Sequence, residues 1–243
     1  MLNQFSRTEL LLGSEAMEKL KNSKVAIFGI GGVGGYVCEA LARSGIYNFV
    51  LVDNDNVSIT NINRQIIATL DTVGKSKCDV MKERILSINP SANIEVHNTF
   101  FLPENQDKFD FKKYDYVVDA VDTVTAKIAI VVKAKEANIP VISAMGAGNK
   151  LNPAMLEVSD IFKTSVDPLA KVMRIELKKR HINKLKVVYS KEKPIKVSAE
   201  EEKTALRRDI PGSISFTPSA MGLIIASEVI KDLTGVRNDI AGA

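Results

Sequence analysis

The chain has 243 residues, 45% of them hydrophobic, and a net charge of only +4, which suits one α/β domain with a substantial core. Its two cysteines, Cys38 and Cys78, have no paired spacing; this excludes a four-cysteine zinc site and fits a reducing, cytoplasmic setting. No apolar run reaches the roughly 18–20 residues of a membrane span, and Met1-Leu2-Asn3-Gln4 lacks the basic leader of a secretory signal.

In chain order, Ser6-Arg7-Thr8-Glu9 reads as a capping box opening a short helix, which Gly13 ends. Ser14 starts a second helix running to Lys21. Residues 24–28 form the first strand and 48–53 the second, an apolar run closed by acids. Between them, Gly29-Ile30-Gly31-Gly32-Val33-Gly34 joins the first strand to a helix over residues 33–44. A helix over 76–88 stops at Asn89-Pro90, because a residue before proline disfavours helical geometry. Strands follow at 93–97 and 114–120, the latter with the continuous apolar character of a parallel strand buried on both faces. A helix then runs to Asn138, and a fifth strand at 140–143 leads into Ala144-Met145-Gly146-Ala147-Gly148.

This alternation predicts an α/β fold: a doubly wound, mostly parallel sheet with a Rossmann-like nucleotide-binding core over about residues 5–150, within a single domain spanning 1–243. Ligands on such sheets bind beyond the carboxyl ends of the strands. Gly29, Asp53, Asp122 and Gly146 all fall just past predicted strand ends and are expected to share one mouth. After residue 150 the pattern changes. A strand is expected at 154–158, and Asp167-Pro168 reads as an N-cap with first-turn proline opening a basic helix to Arg180. Residues 181–209 read as a polar, hairpin-like or mobile segment. A closing strand at 212–218, alternating Ile214 and Phe216, precedes an apolar helix over 220–233. Residues 160–209 form a basic insertion, with 14 Lys and Arg against 8 Asp and Glu.

The glycine run is either a phosphate cradle at a helix N-terminus or a device for tight helix–strand packing. Asp53, about twenty residues further on, either accepts ribose hydroxyls or caps a strand end. Asp55 either joins it or shapes the turn. Arg64, after Asn61-Ile62-Asn63, presents a rigid fork of donors suited to phosphate oxygens, though it would be unremarkable as a surface residue. Lys75 and Lys77 compete for a second phosphate contact. Asp122 either holds Mg²⁺ on phosphates or caps the next helix. An arginine and a lysine in this order suit an enzyme that neutralises a triphosphate under attack, not a dinucleotide oxidoreductase. Cys38 and Cys78 read as packing residues, and neither His97 nor His181 has a partner at metal-ligand spacing.

Assembled in order, Gly29–Gly34, Asp53, Asp55, Asn61, Arg64-Gln65, Lys77 and Asp122 resemble the ThiF/MoeB-like, ubiquitin-activating-type adenylating superfamily over about residues 5–150. Two CxxC pairs, usual in sulfur-carrier activators, are missing here, as is a late acceptor cysteine. Residues 159–164, 167–171 and 212–216 instead resemble the branch that dehydrates threonylcarbamoyladenosine in tRNA. The resemblance implies ATP-dependent cyclisation of that nucleoside through carboxylate activation, with ATP and Mg²⁺ as cofactors. It implies catalytic roles for Arg64, Lys77 and Asp122, and for Arg7 donated to the neighbouring subunit of a homodimer. It assigns nucleotide binding to Gly29, Gly31, Gly32, Gly34, Asp53, Asp55, Asn61, Arg64 and Lys77, and the metal to Asp122. The implied partners are a threonylcarbamoylated, ANN-decoding tRNA, docked on basic residues within 163–208, and a sulfur-relay or redox protein. The alternative is adenylation of a ubiquitin-like sulfur carrier ending in Gly-Gly.

Overall fold

Seven strands form one sheet in the computed structural model, which describes residues 2–196 and 211–236. They are β1 (Lys24–Phe28), β2 (Asn48–Val52), β3 (Asn93–His97), β4 (Tyr116–Asp119), β5 (Val141–Ala144), β6 (Leu156–Asp160) and β7 (Lys186–Ser190), ordered β3-β2-β1-β4-β5-β7-β6. Every neighbouring pair is parallel except β6 with β7. The winding reverses between β1 and β4, so the crevice where such sheets hold ligands opens beside the loop after β1. The fold is the expected doubly wound, mostly parallel sheet.

Successive strand residues face opposite sides, so each strand feeds two cores. On one side Val25, Ile27, Phe49, Leu51 and Val118 meet α3 (Gly34–Arg43), α4 (Lys77–Ile88) and α7 (Phe216–Thr234). On the other, Ala26, Phe28, Val50, Val52 and Val117 meet α5 (Val124–Glu136), α6 (Pro168–Lys179) and a cluster of Phe101, Phe109 and Phe111. α6 starts as its sequence demands: Asp167 Oδ1 accepts from the Ala170 N–H at 2.9 Å, and Pro168 follows where a missing N–H costs nothing. Among the described residues, no helix is long and apolar enough to cross a membrane.

Three expectations fail. The capping box at Ser6 does not form: α1 (Ser6–Leu12) has Phe5 at its N-cap, and Ser6 Oγ accepts from Asn3 N–H instead. Burial of the Phe5 ring, 5.7 Å from that of Tyr47, sets where this helix begins. Within the polar segment 181–209 lies β7, whose Val187, Val188 and Tyr189 are buried between β5 and β6; residues 197–209 fall outside the described residues. The closing strand at 212–218 is absent, because Pro218 sits in the first turn of α7 and that helix already begins at Phe216. β7 lies inside the sheet between β5 and β6, and β6 forms that edge.

Candidate active site

A cavity of about 510 Å³ opens beyond the carboxyl ends of β1, β2, β4 and β5. Two functions divide the glycine run. Gly29 has φ +91°, and a Cβ there would lie 2.6 Å from the Ala120 carbonyl oxygen; a Cβ on Gly34 would lie 1.8 Å from that of Gly29. These two glycines let the loop fold against the sheet and against α3. Gly31 and Gly32 face the cavity, where their backbone is open to a ligand. Gly29 also lines it, whereas Gly34 lies behind the loop.

Asp53 holds the loop in place. Its Oδ2 accepts from Ile30 N–H at 2.6 Å and its Oδ1 from Asp55 N–H at 2.8 Å, so the carboxylate at the end of β2 clamps the turn after β1. Lone pairs remain on both oxygens, which suits ribose hydroxyls as second partners. Asp55 Oδ2 sits 2.6 Å from Lys77 Nζ; the lysine side chain is buried and the aspartate half-exposed. Lys77 is the first residue of α4, whose N-cap Ser76 accepts from Asp79 N–H. Lys75 is exposed and outside the cavity, whereas Lys77 lines it.

Asn61 ends a 3₁₀ turn, and its Oδ1 accepts from Ser58 N–H at 3.0 Å. Its carbonyl accepts from the N–H groups of Arg64 and Gln65, aiming both side chains at the cavity. Arg64 Nη1 donates to Thr60 carbonyl and to Asn63 Oδ1, each at 2.9 Å, leaving most of its fork open. Gln65 is buried, and its Oε1 has no partner among the described residues. Asp122 lines the opposite wall, exposed, with one contact to the Thr123 hydroxyl at 3.3 Å. It does not cap α5, whose N-cap is Thr123 with no side-chain cap bond. Its open carboxylate fits Mg²⁺, an ion commonly held by one or two carboxylates plus substrate phosphates. No cluster of three His, Cys, Asp or Glu side chains suited to a metal occurs among the described residues.

Two expected residues do not line the cavity: Gly34, behind the loop, and Arg7, exposed on α1 and away from it. Both cysteines are buried; burial pushes the Cys78 thiol up to about 12 and raises that of Cys38 well above its ordinary value. Neither is a nucleophile in this state.

Two buried ion pairs escaped the sequence reading. Lys127 on α5 lies 3.0 Å from Asp119 at the end of β4 and donates to the Val121 carbonyl, also at 3.0 Å. Lys150 lies 2.8 Å from Asp167 and donates to the Gly146 carbonyl at 2.6 Å. The one available signal was Lys127 standing alone in the apolar run Ala126-Lys127-Ile128-Ala129-Ile130.

A switch-point crevice with a glycine turn, a carboxylate at the end of β2, an arginine, a lysine and an exposed carboxylate suits a nucleotide-activating α/β domain. The chain belongs to the ThiF family, whose model matches residues 5–243. It is 45% identical over 242 residues to the tRNA threonylcarbamoyladenosine dehydratase of Bacillus subtilis (strain 168), covering 96% of this chain and 95% of that protein. In three dimensions it is similar to E. coli tRNA N6-threonylcarbamoyladenosine dehydratase, TcdA, in complex with AMP: TM-score 0.87, 33% identity, 96% of this chain and 94% of that one. The same E. coli enzyme in complex with ATP gives a TM-score of 0.86 at 32% identity, with the same coverage of both chains.

Proposed function

We infer that the protein is an ATP-dependent tRNA threonylcarbamoyladenosine dehydratase. One observation carries this reading: Gly31, Gly32, Asp53, Arg64, Lys77 and Asp122, drawn from separate segments, line a single cavity in a chain similar to such a dehydratase along nearly its whole length. The core of about residues 5–150 holds the nucleotide, and the remainder faces the tRNA.

ATP lies with its triphosphate over Gly31 and Gly32 and its ribose at Asp53. Its base occupies the apolar end of the cavity, between Val52, Phe100 and Val121. The carboxylate of the threonylcarbamoyl group attacks the α-phosphorus; the bond to the β-phosphate oxygen breaks and pyrophosphate leaves. Arg64 and Lys77 meet the charge that builds on the phosphate oxygens. Lys77 reaches that charge by trading the Asp55 carboxylate for a phosphate oxygen. Asp122 would hold Mg²⁺, which would supply further charge balance for the pyrophosphate. A nucleophilic atom of the same modification then attacks the acyl adenylate, gives up its proton and expels AMP, closing a five-membered ring. The nucleoside loses one water in all. Intramolecular attack with good geometry can contribute about 7–11 kcal/mol, so no cysteine relay is required. Two buried thiols fit that economy.

Arg7 serves in trans. α1 has no buried residue, and Leu10 and Leu11 beside Arg7 are 86% and 83% exposed, which favours a second copy of the chain covering this helix. For tRNA, α6 leads from Leu169 at the cavity to Lys178, Lys179 and Arg180, about 14–17 Å along the helix axis. Lys179 and Arg180 are partly spent on Glu176, at 2.6 and 2.8 Å. That part of the basic stretch beyond residue 196 lies outside the described residues up to 210. The sulfur-carrier reading is disfavoured by the absence of both CxxC pairs.

The test is mass analysis of nucleosides from threonylcarbamoylated tRNA incubated with the protein, ATP and Mg²⁺. Loss of one water from the modified adenosine, dependent on ATP, is the expected result. An unchanged mass would remove the function.

A further inference from the structure

We propose that the buried Lys150–Asp167 pair is a positioning device that sets the wall of the cavity against which the acyl group of the substrate lies. The inference rests on the dehydratase reading, since it assigns the two halves of one cavity to two substrates. The nucleotide half carries the glycine turn and every charged lining side chain: Asp53, Asp55, Arg64, Lys77 and Asp122. Opposite them, residues 144–148, Leu169, Pro211 and Ser213 form a wall that, among the described residues, carries no charged side chain. A carboxylate that must reach the α-phosphate enters along that wall, whose described lining carries no cation.

The wall has no regular secondary structure of its own between β5 and β6, yet it is braced from three directions. Lys150 Nζ donates to the Gly146 carbonyl at 2.6 Å and to Asp167 Oδ2 at 2.8 Å, with both side chains almost completely buried. Asp167 Oδ1 caps α6 through Ala170 N–H, so the same carboxylate ties the wall to that helix. The Lys150 carbonyl accepts from the buried Thr217 hydroxyl at 3.1 Å, which ties it to α7. Packing leaves little slack: a Cβ on Gly146 would lie 3.1 Å from Asp167 Oδ2, and one on Gly148 2.9 Å from Pro211.

A buried ion pair of this kind is weak support for stability, because desolvation offsets most of its attraction. What it does supply is a fixed direction: an ammonium with two oxygens on it points the Gly146 carbonyl inward and holds the loop against α6. Lys127 and Asp119 do the same for the neighbouring loop that bears Asp122. Each of two adjacent strands thus ends in a loop pinned from below by a lysine, one on the nucleotide side and one on the acyl side.

The experiment combines Lys150→Met with Asp167→Asn. Both charges go, so none is left orphaned, and asparagine keeps the N-cap acceptor. Expected are a folded protein with wild-type ATP affinity by equilibrium titration, and a kcat for water loss from threonylcarbamoylated tRNA about 100-fold lower, the cost of a displacement on the order of 1 Å. An undiminished kcat in the folded variant overturns the proposal. So does a parallel fall in ATP affinity, which would assign the pair to the nucleotide half. Failure of the wild-type protein to remove water would instead overturn the dehydratase reading. Should the double variant not fold, Thr217→Val removes one brace without touching a charge. The same signature is expected from it in weaker form, and an unchanged kcat overturns the proposal equally.

Discussion

Replacing Lys127 by methionine removes an ammonium from between Asp119 and the Val121 carbonyl while roughly conserving volume. Lys127 and Asp119 are both fully buried, with Nζ 3.0 and 3.1 Å from the two carboxylate oxygens. In the variant, Asp119 keeps only the Ser143 hydroxyl and a long bond from Val121 N–H at 3.3 Å. Breaking one partner of a buried pair costs about 3–5 kcal/mol. That is a large part of the about 5–15 kcal/mol that separates folded from unfolded states. At about 2–4 °C per kcal/mol for a domain of this size, the melting temperature should fall by about 6–20 °C. Adding Asp119→Asn removes the orphaned charge and should recover most of the loss. Thermal and urea melts followed by circular dichroism measure both variants. A single variant that melts with the wild type would refute the reasoning, as would a double variant no more stable than the single.

Gly29→Ala places a Cβ 2.6 Å from the Ala120 carbonyl at φ +91°, so the turn must move and ATP affinity should collapse; titration showing unaltered affinity would contradict this. Alkaline pH should destabilise the fold. An unfolded thiol ionises near its ordinary value of about 8.5, whereas buried Cys78 holds its proton to about 12, so stability falls as pH climbs between these two values. Cys78→Ala should flatten that decline in melts taken across the range, and an equally steep curve would exclude the thiol as its cause. Exchanging Lys178, Lys179 and Arg180 for serine should flatten the salt dependence of tRNA binding, by about 0.7–0.9 in slope for each phosphate these side chains neutralise. ATP affinity should be untouched, and an unaltered salt slope would place tRNA elsewhere.

Much of the fold could be read in advance because its strands are short apolar runs with sharp ends. β1 and β3 have the expected limits, 24–28 and 93–97. β7 was hidden because Val187, Val188 and Tyr189 make a run of three, framed by Lys184, Lys186, Lys191 and Glu192, so local polarity outweighed it. Only the slot between β5 and β6 explains why those residues are buried. The site was legible wherever a residue follows a strand end, as Gly29, Asp53 and Asp122 do, since chain order alone brings such positions to one mouth. Competition between Lys75 and Lys77 could not be decided by spacing; it is decided by which of them the first turn of α4 turns inward. Lys150 looks like an ordinary surface charge in the sequence and Asp167 like a helix cap, and their meeting depends on the path of α6.

Among the described residues β6 pairs with β7 alone, and β7 is made some thirty residues later. During synthesis, therefore, β5 emerges with a raw border and β6 with no ladder to join, until the chain has passed Ser190. For that interval a half-finished molecule exposes a template on which another nascent chain could pair. Production of this protein should then be sensitive to anything that stalls translation between α6 and β7, well before the active site is touched.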